Sequence, residues 1–242
     1  ENSIKESTIL NKISKKRNLK RYTLGNSKSF INIKNVKKIN EQKKIDFTIN
    51  KKNYSFETSL IGDIQIKNLM FAIVAAYLSG IKITNIIKSI YKIKTISGRL
   101  EKVGNLKNKA RVILDYAHTP HALKTLILDI RKEFPFSKVS LVFGCGGNRD
   151  QYKRSMMGTI ARKYSNDIYL TDDNPRLEKP KLIRNQIKRG LQPKKFFEIS
   201  SRAKAINTAI QKLNSGDVLI VAGKGHENYQ EYKKKFFFSD KI

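Results

Sequence analysis

The chain has 242 residues, of which 39% are apolar, and 50 Lys and Arg against 20 Asp and Glu give it a net charge of +30. This apolar content excludes a disordered chain and predicts a globular protein. The basic residues are dispersed, whereas a nucleic-acid-binding protein, the alternative, would gather them on one face beside aromatic residues. We therefore interpret the charge as background composition, and the densest basic run, ISKKRNLKRY (residues 13–22), as a solvated segment.

The cysteine content and the apolar runs exclude further classes. The single cysteine, Cys145, excludes a disulfide framework and a cysteine-rich zinc site. No apolar run reaches the roughly 18 residues that a membrane-spanning helix needs, and no signal-peptide pattern opens the chain, so we expect a cytoplasmic protein. The sequence begins at Glu1 rather than Met and ends on FFFSDKI, as expected for a piece of a longer protein.

Residues 1–97 are expected to form one unit. KIDFTIN (residues 44–50) and NYSFETSL (53–60) show apolar alternation and predict two paired strands around a turn at 51–53. The period then changes to that of a helix that ends at Gly80, and a second helix is predicted over 83–93. The apolar face of the first helix comprises Ile66, Leu69, Met70, Ile73 and Val74.

From residue 98 onward, apolar runs alternate with stretches of helical spacing, which predicts an α/β domain with a mostly parallel sheet. The predicted strands are RVILDY (111–116), KVSLVFG (138–144), NDIYLTD (166–172), KKFFEIS (194–200) and DVLIVAG (217–223), and the fourth has the weakest pattern. The predicted helices span residues 120–133, 150–164, 180–190 and 201–213.

Four polar loops follow strands of this sheet. They are DYAHTP (115–120), GCGGNRD (144–150), TDDNPR (171–176) and AGKGHE (222–227). In a parallel sheet such loops meet at one edge, where ligands bind. The two glycine-rich loops match neither the dinucleotide fingerprint nor the phosphate loop. GCGGNRD is also compatible with a tight turn, and Thr119 with Pro120 is an ordinary helix start.

The charged residues of these loops suggest the chemistry of a ligand. Arg149 and Arg176 carry planar guanidinium groups suited to carboxylates. Asp173 and Glu227 can accept hydrogen bonds from an ammonium group. A ligand with several such groups is an amino acid, for example a diamino dicarboxylic acid.

Several stretches resemble the Mur ligase family in sequence and in order. They are SGRLEKV (97–103), VILDYAHTPHAL (112–123), LVFGCGGNRDQYKR (141–154), MGTIARKYSNDIYLTDDNPRLEKP (157–180) and VLIVAGKGHENYQ (218–230), with a weaker match at IKNLMFAIVAA (66–76). The resemblance implies that residues 1–97 are the C-terminal part of a central ATP-binding domain. It implies that residues 98–242 form a Rossmann-like C-terminal domain that binds an amino acid.

The resemblance also implies roles for individual residues. In this family DNPR marks the members that add meso-diaminopimelate rather than lysine. The implied amino-acid contacts are Arg149, Asp173, Asn174, Pro175, Arg176, Gly223 and Glu227. The implied nucleotide contacts are Asn68, Arg99, Asp115 and His118, the last near the phosphates.

The implied reaction belongs to peptidoglycan precursor synthesis and uses ATP and Mg²⁺. The γ-phosphate passes to a carboxylate of UDP-MurNAc-L-Ala-D-Glu, and the amine of meso-diaminopimelate attacks the acyl phosphate. We expect small-molecule substrates, no specific nucleic acid and a monomer. The family's G-x-x-G-K-[ST] phosphate loop, UDP-binding domain and modified lysine have no match in the 242 residues.

We therefore assign the ligase reaction to a longer protein and expect no turnover, no identified catalytic residue and no metal ligand in this chain alone. The alternatives are a non-catalytic amino-acid- or nucleotide-binding fragment and a ligase similar to folylpolyglutamate synthetase.

Overall fold

The computed structural model describes residues 7–25, 28–40, 42–106 and 108–241, and the chain divides into two compact units between Lys94 and Thr95. This division lies three residues before the predicted boundary at residue 97. None of the described helices is long and apolar enough to cross a membrane.

The described residues of the first unit form a four-stranded sheet and three helices. They are α1 (Ser7–Lys16), β1 (Leu24–Gly25), β2 (Ile31–Ile39), β3 (Gln42–Ile49), β4 (Lys52–Thr58), α2 (Asp63–Leu78) and α3 (Ile83–Ile90). The strands follow each other in chain order, with β2, β3 and β4 antiparallel. The predicted strand pair is confirmed as β3 and β4, whose turn places Asn50 and Lys51 at positive φ.

The core of this unit also agrees with the sequence pattern. All five residues predicted for the apolar face of α2 are buried, and they pack with Ile45, Phe47 and Ile49 of β3. Helix α1 has no buried residue, and residues 15–21 are exposed, as predicted for the basic run 13–22. Tyr22, at the end of that run, instead packs against the core of the unit. Strand β2 was not predicted, because lysines and a register irregularity between Ile33 and Asn35 interrupt its alternation.

The second unit alternates strands and helices. Its elements are β5 (Glu101–Asn105), β6 (Arg111–Asp115), α4 (Pro120–Glu133), β7 (Val139–Phe143), α5 (Tyr152–Tyr164), β8 (Ile168–Leu170), α6 (Pro180–Leu191), β9 (Phe197–Glu198), α7 (Arg202–Gln211), β10 (Val218–Ala222), β11 (Tyr229–Tyr232) and β12 (Lys234–Phe237). Strands β11 and β12 form a separate antiparallel hairpin.

The main sheet has the order β5-β6-β10-β7-β8-β9, and only β5 runs antiparallel to its neighbour. The predicted α/β fold with a mostly parallel sheet is confirmed. The strand with the weakest pattern is the two-residue edge strand β9. Helix α4 starts as predicted, with Pro120 at its first turn and the hydroxyl of Thr119 accepting a hydrogen bond from the backbone N–H of Ala122 at 3.3 Å.

Candidate functional site

The four polar loops follow four neighbouring strands and start at the same edge of the sheet. Asp115 at the end of β6 lies beside Ala222 at the end of β10, and Phe143 at the end of β7 lies beside Leu170 at the end of β8. Because β6, β10, β7 and β8 are consecutive in the sheet, their loops lie next to one another at this edge.

The GCGGNRD and TDDNPR loops are joined by their backbones. The N–H of Gly147 donates to the carbonyl of Asn174 at 2.9 Å, and Nη1 of Arg176 donates to the carbonyl of Gly147 at 2.9 Å. A Cβ atom at Gly147 would lie 1.9 Å from the carbonyl oxygen of Pro175. The close approach of the two loops therefore requires glycine at this position.

Arg154 on α5, which the sequence reasoning missed, hydrogen-bonds to the GCGGNRD loop and to Glu178, two residues after the TDDNPR loop. Its side chain is fully buried, and Nη1 and Nη2 each donate to one carboxylate oxygen of Glu178 at 2.9 Å. Nη2 also donates to the carbonyl of Gly146 at 3.0 Å. The hydrogen bond from Arg154 lowers the pKa of Glu178, against the opposing effect of burial and with help from the N–H of Asn148. A sequence signal existed, because Arg154 shares helical spacing with the buried Met157 and Ala161.

Asn174 belongs to a buried network with the AGKGHE loop. Nζ of Lys224, whose side chain is fully buried, donates to Oδ1 of Asn174 at 3.0 Å and to Oε2 of Glu227 at 3.1 Å. Nδ2 of Asn174 donates to the same Glu227 oxygen at 2.9 Å, and the N–H of Glu231 donates to Oδ1 of Asn174 at 3.0 Å. The charge of Glu227 is thus balanced within the protein by Lys224, a residue that the sequence reasoning did not select.

The two adjacent acids of TDDNPR have different surroundings. Asp172 pairs with Arg184 of α6 and accepts a hydrogen bond from the hydroxyl of Tyr232 of β11 at 2.9 Å. It therefore links its loop to these two elements. Asp173 is 8% exposed. A Cβ atom added at Gly223 would lie only 2.6 Å from Oδ2 of Asp173. Asp173 is therefore the acid that faces the AGKGHE loop.

The two predicted carboxylate-binding arginines also differ. Arg149 is exposed, and its side chain makes no hydrogen bond or ion pair within the part of the chain that the structure describes. Arg176 is held in the left-handed region at φ 55°, where its N–H donates to the carbonyl of Glu231 at 2.9 Å and its carbonyl accepts from the N–H of Lys233 at 3.0 Å. Its Nε lies 3.2 Å from a carboxylate oxygen of Glu231.

The predicted nucleotide contacts of the second unit gather around Tyr116. The guanidinium carbon of Arg99 lies 4.5 Å from the centre of the Tyr116 ring. The ring of His118 lies 4.7 Å away on an edge-to-face contact, and the ring of His226 lies 5.5 Å away. This arrangement joins the DYAHTP and AGKGHE loops.

Asp115 is anchored to the backbone on both oxygens. They accept hydrogen bonds from the N–H groups of Leu100 and Ala117, each at 2.8 Å. Burial raises the pKa of Asp115, against the effect of these hydrogen bonds and of the charge of Arg99. Asn68, the fourth predicted nucleotide contact, is exposed on α2 in the first unit. Within the described residues, no group of three or more His, Cys, Asp or Glu could hold a metal ion.

Comparison with known proteins places these observations in a family. The sequence model of the family described as "Mur ligase, glutamate ligase domain" matches residues 98–225 of this chain. A protein of Rickettsia conorii named UDP-N-acetylmuramoyl-L-alanyl-D-glutamate–2,6-diaminopimelate ligase is 44% identical over 198 residues, which are 81% of this chain and 40% of the relative. A protein of Rickettsia felis with the same name is 39% identical over 225 residues, covering 92% of this chain and 42% of the relative. The chain thus spans about 40% of the length of these relatives.

Solved structures of related ligases share the fold of this chain. A structure of a ligase with the same name aligns with a TM-score of 0.65 at 28% identity, over 98% of this chain and 49% of that protein. Folylpolyglutamate synthase of Mycobacterium tuberculosis, complexed with ADP, aligns with a TM-score of 0.72 at 18% identity, over 89% of this chain and 49% of that protein, and shares the fold. On the match of the domain model to more than half of its residues, the chain belongs to the Mur ligase family.

Proposed function

We propose that this chain carries the amino-acid site, and part of the nucleotide site, of an ATP-dependent ligase that adds meso-diaminopimelate to UDP-MurNAc-L-Ala-D-Glu in peptidoglycan precursor synthesis. The names and the 39–44% identity of the relatives support the reaction. The observation that carries the amino-acid site is the state of Asp173 and Arg149 at the loop edge, neither of which has a hydrogen-bonded partner of opposite charge among the described residues.

Most charges at this edge are already paired within the protein. Glu227 pairs with Lys224 at 3.1 Å, and Asp172 pairs with Arg184. Asp173 has a 3.9 Å contact with Arg202 and no hydrogen-bonded cation. The exposed Arg149 has no partner among the described residues. Asp173 and Arg149 together match the ammonium and carboxylate groups of an amino acid.

Arg176 supplies a second place for a carboxylate. Its Nε contacts Glu231 and its Nη1 contacts the carbonyl of Gly147, while its Nη2 has no hydrogen bond in the described part of the chain. An amino acid whose ammonium group lies at Asp173 can place a carboxylate at Nη2, and a second carboxylate at Arg149. A ligand with two carboxylates and two amines, such as meso-diaminopimelate, uses all three positions and keeps one amine for the reaction.

The roles of the remaining residues follow from the same proposal. Arg99, Asp115 and His118 contact the nucleotide around Tyr116. Asn68, in the first unit, stays the adenine contact that the family resemblance implies. The first unit is then the C-terminal part of the central ATP-binding domain, and the second is the C-terminal amino-acid-binding domain. The protein's task is to position the amine against the acyl phosphate and to balance charge.

ATP is expected from the family, whereas Mg²⁺, a monomeric state and a cytoplasmic location stay predictions. Within the described residues, no group of three or more His, Cys, Asp or Glu is suited to a metal ion. Without a phosphate loop in its sequence, the 242-residue chain is not expected to release phosphate from ATP when supplied with UDP-MurNAc-L-Ala-D-Glu, meso-diaminopimelate and Mg²⁺.

The alternative is a ligase for another amino acid, and glutamate is the competitor because the matching domain model names it. The discriminating experiment titrates the ¹⁵N-labelled chain with meso-diaminopimelate, L-lysine and L-glutamate and follows amide shifts by NMR. We expect meso-diaminopimelate to shift the amides of Gly147, Asp173 and Gly223 and to bind about 10-fold or more tightly than the other two, the value of at least one additional charge-assisted hydrogen bond. Equal or tighter binding of glutamate would show that the proposed substrate is wrong.

A further inference from the structure

Arg202, at the start of α7, is a fully buried arginine gripped by a carboxylate from the end of the described chain. Nε donates to Oδ1 of Asp240 and Nη2 donates to Oδ2 of Asp240, both at 2.7 Å. Nη2 also donates to the carbonyl of Ala222 at 3.0 Å. Both partners of the ion pair have fully buried side chains. This fork-to-fork geometry fixes the plane of the guanidinium group.

The third nitrogen of Arg202 is aimed at the candidate amino-acid site. Nη1 is buried and has no hydrogen-bond partner among the described residues. It lies 3.9 Å from Oδ2 of Asp173, the oxygen that also lies against Gly223. A buried donor without a partner is costly and uncommon in native proteins, so its position next to Asp173 calls for an explanation.

We infer that Arg202 is a positioning residue for the ammonium group of the bound amino acid, an inference that rests on the proposed function. Its charge holds the carboxylate of Asp173 against Gly223, while Asp240 prevents the guanidinium group from moving into the site. The carboxylate of Asp173, which has no hydrogen-bonded partner among the described residues, is then left to accept hydrogen bonds from an ammonium group. Through the carbonyl of Ala222, the same side chain also fixes the backbone immediately before Gly223.

The ion pair links the site to a segment remote in sequence. Asp240 follows the β11–β12 hairpin, and this segment is held by the N–H of Phe238, which donates to the carbonyl of Asn228 at 3.0 Å. On its other side, Nζ of Lys241 donates to Oγ of Ser97 at 3.0 Å and to Oε1 of Glu101 at 2.6 Å. The position of Asp173 therefore depends on residues 238–241 as well as on its own loop.

The test compares three ligands by NMR titration of the 242-residue chain. They are meso-diaminopimelate, pimelate, which keeps both carboxylates but has no amine, and L-lysine. The Arg202→Met, Asp240→Leu double variant removes both buried charges together, a replacement that folded proteins tolerate better than the loss of one partner. We expect the unchanged chain to prefer meso-diaminopimelate over pimelate by about 10-fold, because only the former offers an ammonium group to Asp173.

In the double variant this amine preference should fall close to 1, as in Asp173→Asn, whereas the preference over lysine, which reports the carboxylate at Arg176, should persist. Adding Asp173→Asn to the double variant should cause no further loss, because Arg202 acts through Asp173. Arg184→Met, which removes the partner of the neighbouring Asp172, is the matched control and should keep the amine preference. If the double variant does not fold, Arg202→Lys keeps the charge without the fork and should reduce the preference in part.

An unchanged amine preference in a folded Arg202 variant would overturn the positioning role and leave the proposed function standing. A chain that binds meso-diaminopimelate no better than lysine would overturn the proposed function, and the positioning role with it. The two failures are therefore distinguished by the lysine titration alone.

Discussion

Replacing Arg176 tests how the TDDNPR loop distinguishes meso-diaminopimelate from lysine. The two ligands differ by one carboxylate on the distal carbon, and Arg176 is the residue proposed to bind it. Arg176→Lys keeps the positive charge but loses the planar pair of donors, and Arg176→Ala loses both. We expect both variants to weaken binding of meso-diaminopimelate and to leave binding of lysine nearly unchanged, so that the ratio of the two affinities falls.

The contacts of Arg176 set the size of the effect. A buried guanidinium left without any partner would cost about 3–5 kcal/mol, but Arg176 is 20% exposed and contacts Glu231 at 3.2 Å in the absence of a ligand. When lysine is bound, the guanidinium group of Arg176 therefore still has Glu231 as a partner. Selection then comes from the charge-assisted hydrogen bonds to the distal carboxylate, worth about 1.5–3 kcal/mol, which corresponds to about 10–100-fold.

The assay measures the dissociation constants of both ligands by NMR titration, for the unchanged chain and for each Arg176 variant. The control is Arg189→Ala, which removes one positive charge from an exposed position on α6. This variant should leave the ratio of the two affinities unchanged. If the ratio survives in Arg176→Ala, the distal carboxylate is bound elsewhere, with Arg149 the next candidate, and the reasoning about this loop is refuted.

Three further outcomes follow from the geometry around these loops. Gly147→Ala should lower the melting temperature by several degrees in a thermal unfolding scan, because its Cβ would lie 1.9 Å from the carbonyl oxygen of Pro175; an unchanged melting temperature would contradict the loop packing. Burial raises the pKa of Cys145 to about 12, so a thiol-reactive dye at pH 8 should label it only after unfolding, and rapid labelling of the folded chain would be the contrary result. The pKa of Glu178 is lowered from 4.5 by its hydrogen bond from Arg154, so its stabilisation is present above pH 4.5 and lost as the pH falls below it; urea unfolding should show a weaker acid dependence in Glu178→Gln.

The fold was predictable where local chemistry and the apolar pattern agree. Helix α4 was predicted over 120–133 and is observed over Pro120–Glu133, because a Thr119 cap, a proline in the first turn and regularly spaced leucines and isoleucines all indicate the same element. Strands β7 and β10 are buried along their whole length, so an uninterrupted apolar run was enough to find them. Strand β2 has one buried residue among nine, and half-exposed lysine-rich strands carry no such run.

The candidate site was predictable in its residue types but not in its pairing. Residue type alone does not separate Asp172 from Asp173, because both are acids that follow the same buried strand, and only the resemblance of DNPR to the family selects Asp173. Their difference depends on Arg184 and Tyr232, which lie 12 and 60 residues further along the chain from Asp172. Which acid is bound by the protein and which is left for a ligand is therefore a property of the tertiary structure.

The composition gave no indication of the buried cations near the site. Three of the largest fully buried side chains are Arg154, Arg202 and Lys224, although a sequence with 50 basic residues gives no reason to treat any one of them as buried. Each is matched by an acid, namely Glu178, Asp240 and Glu227. A buried charge requires such a partner, and acids are the scarcer residues here, with 20 in the chain. In so basic a protein, the few acids that follow strand ends or turns indicate buried polar networks better than the many basic residues do. Such networks in turn contain the residues that position a ligand.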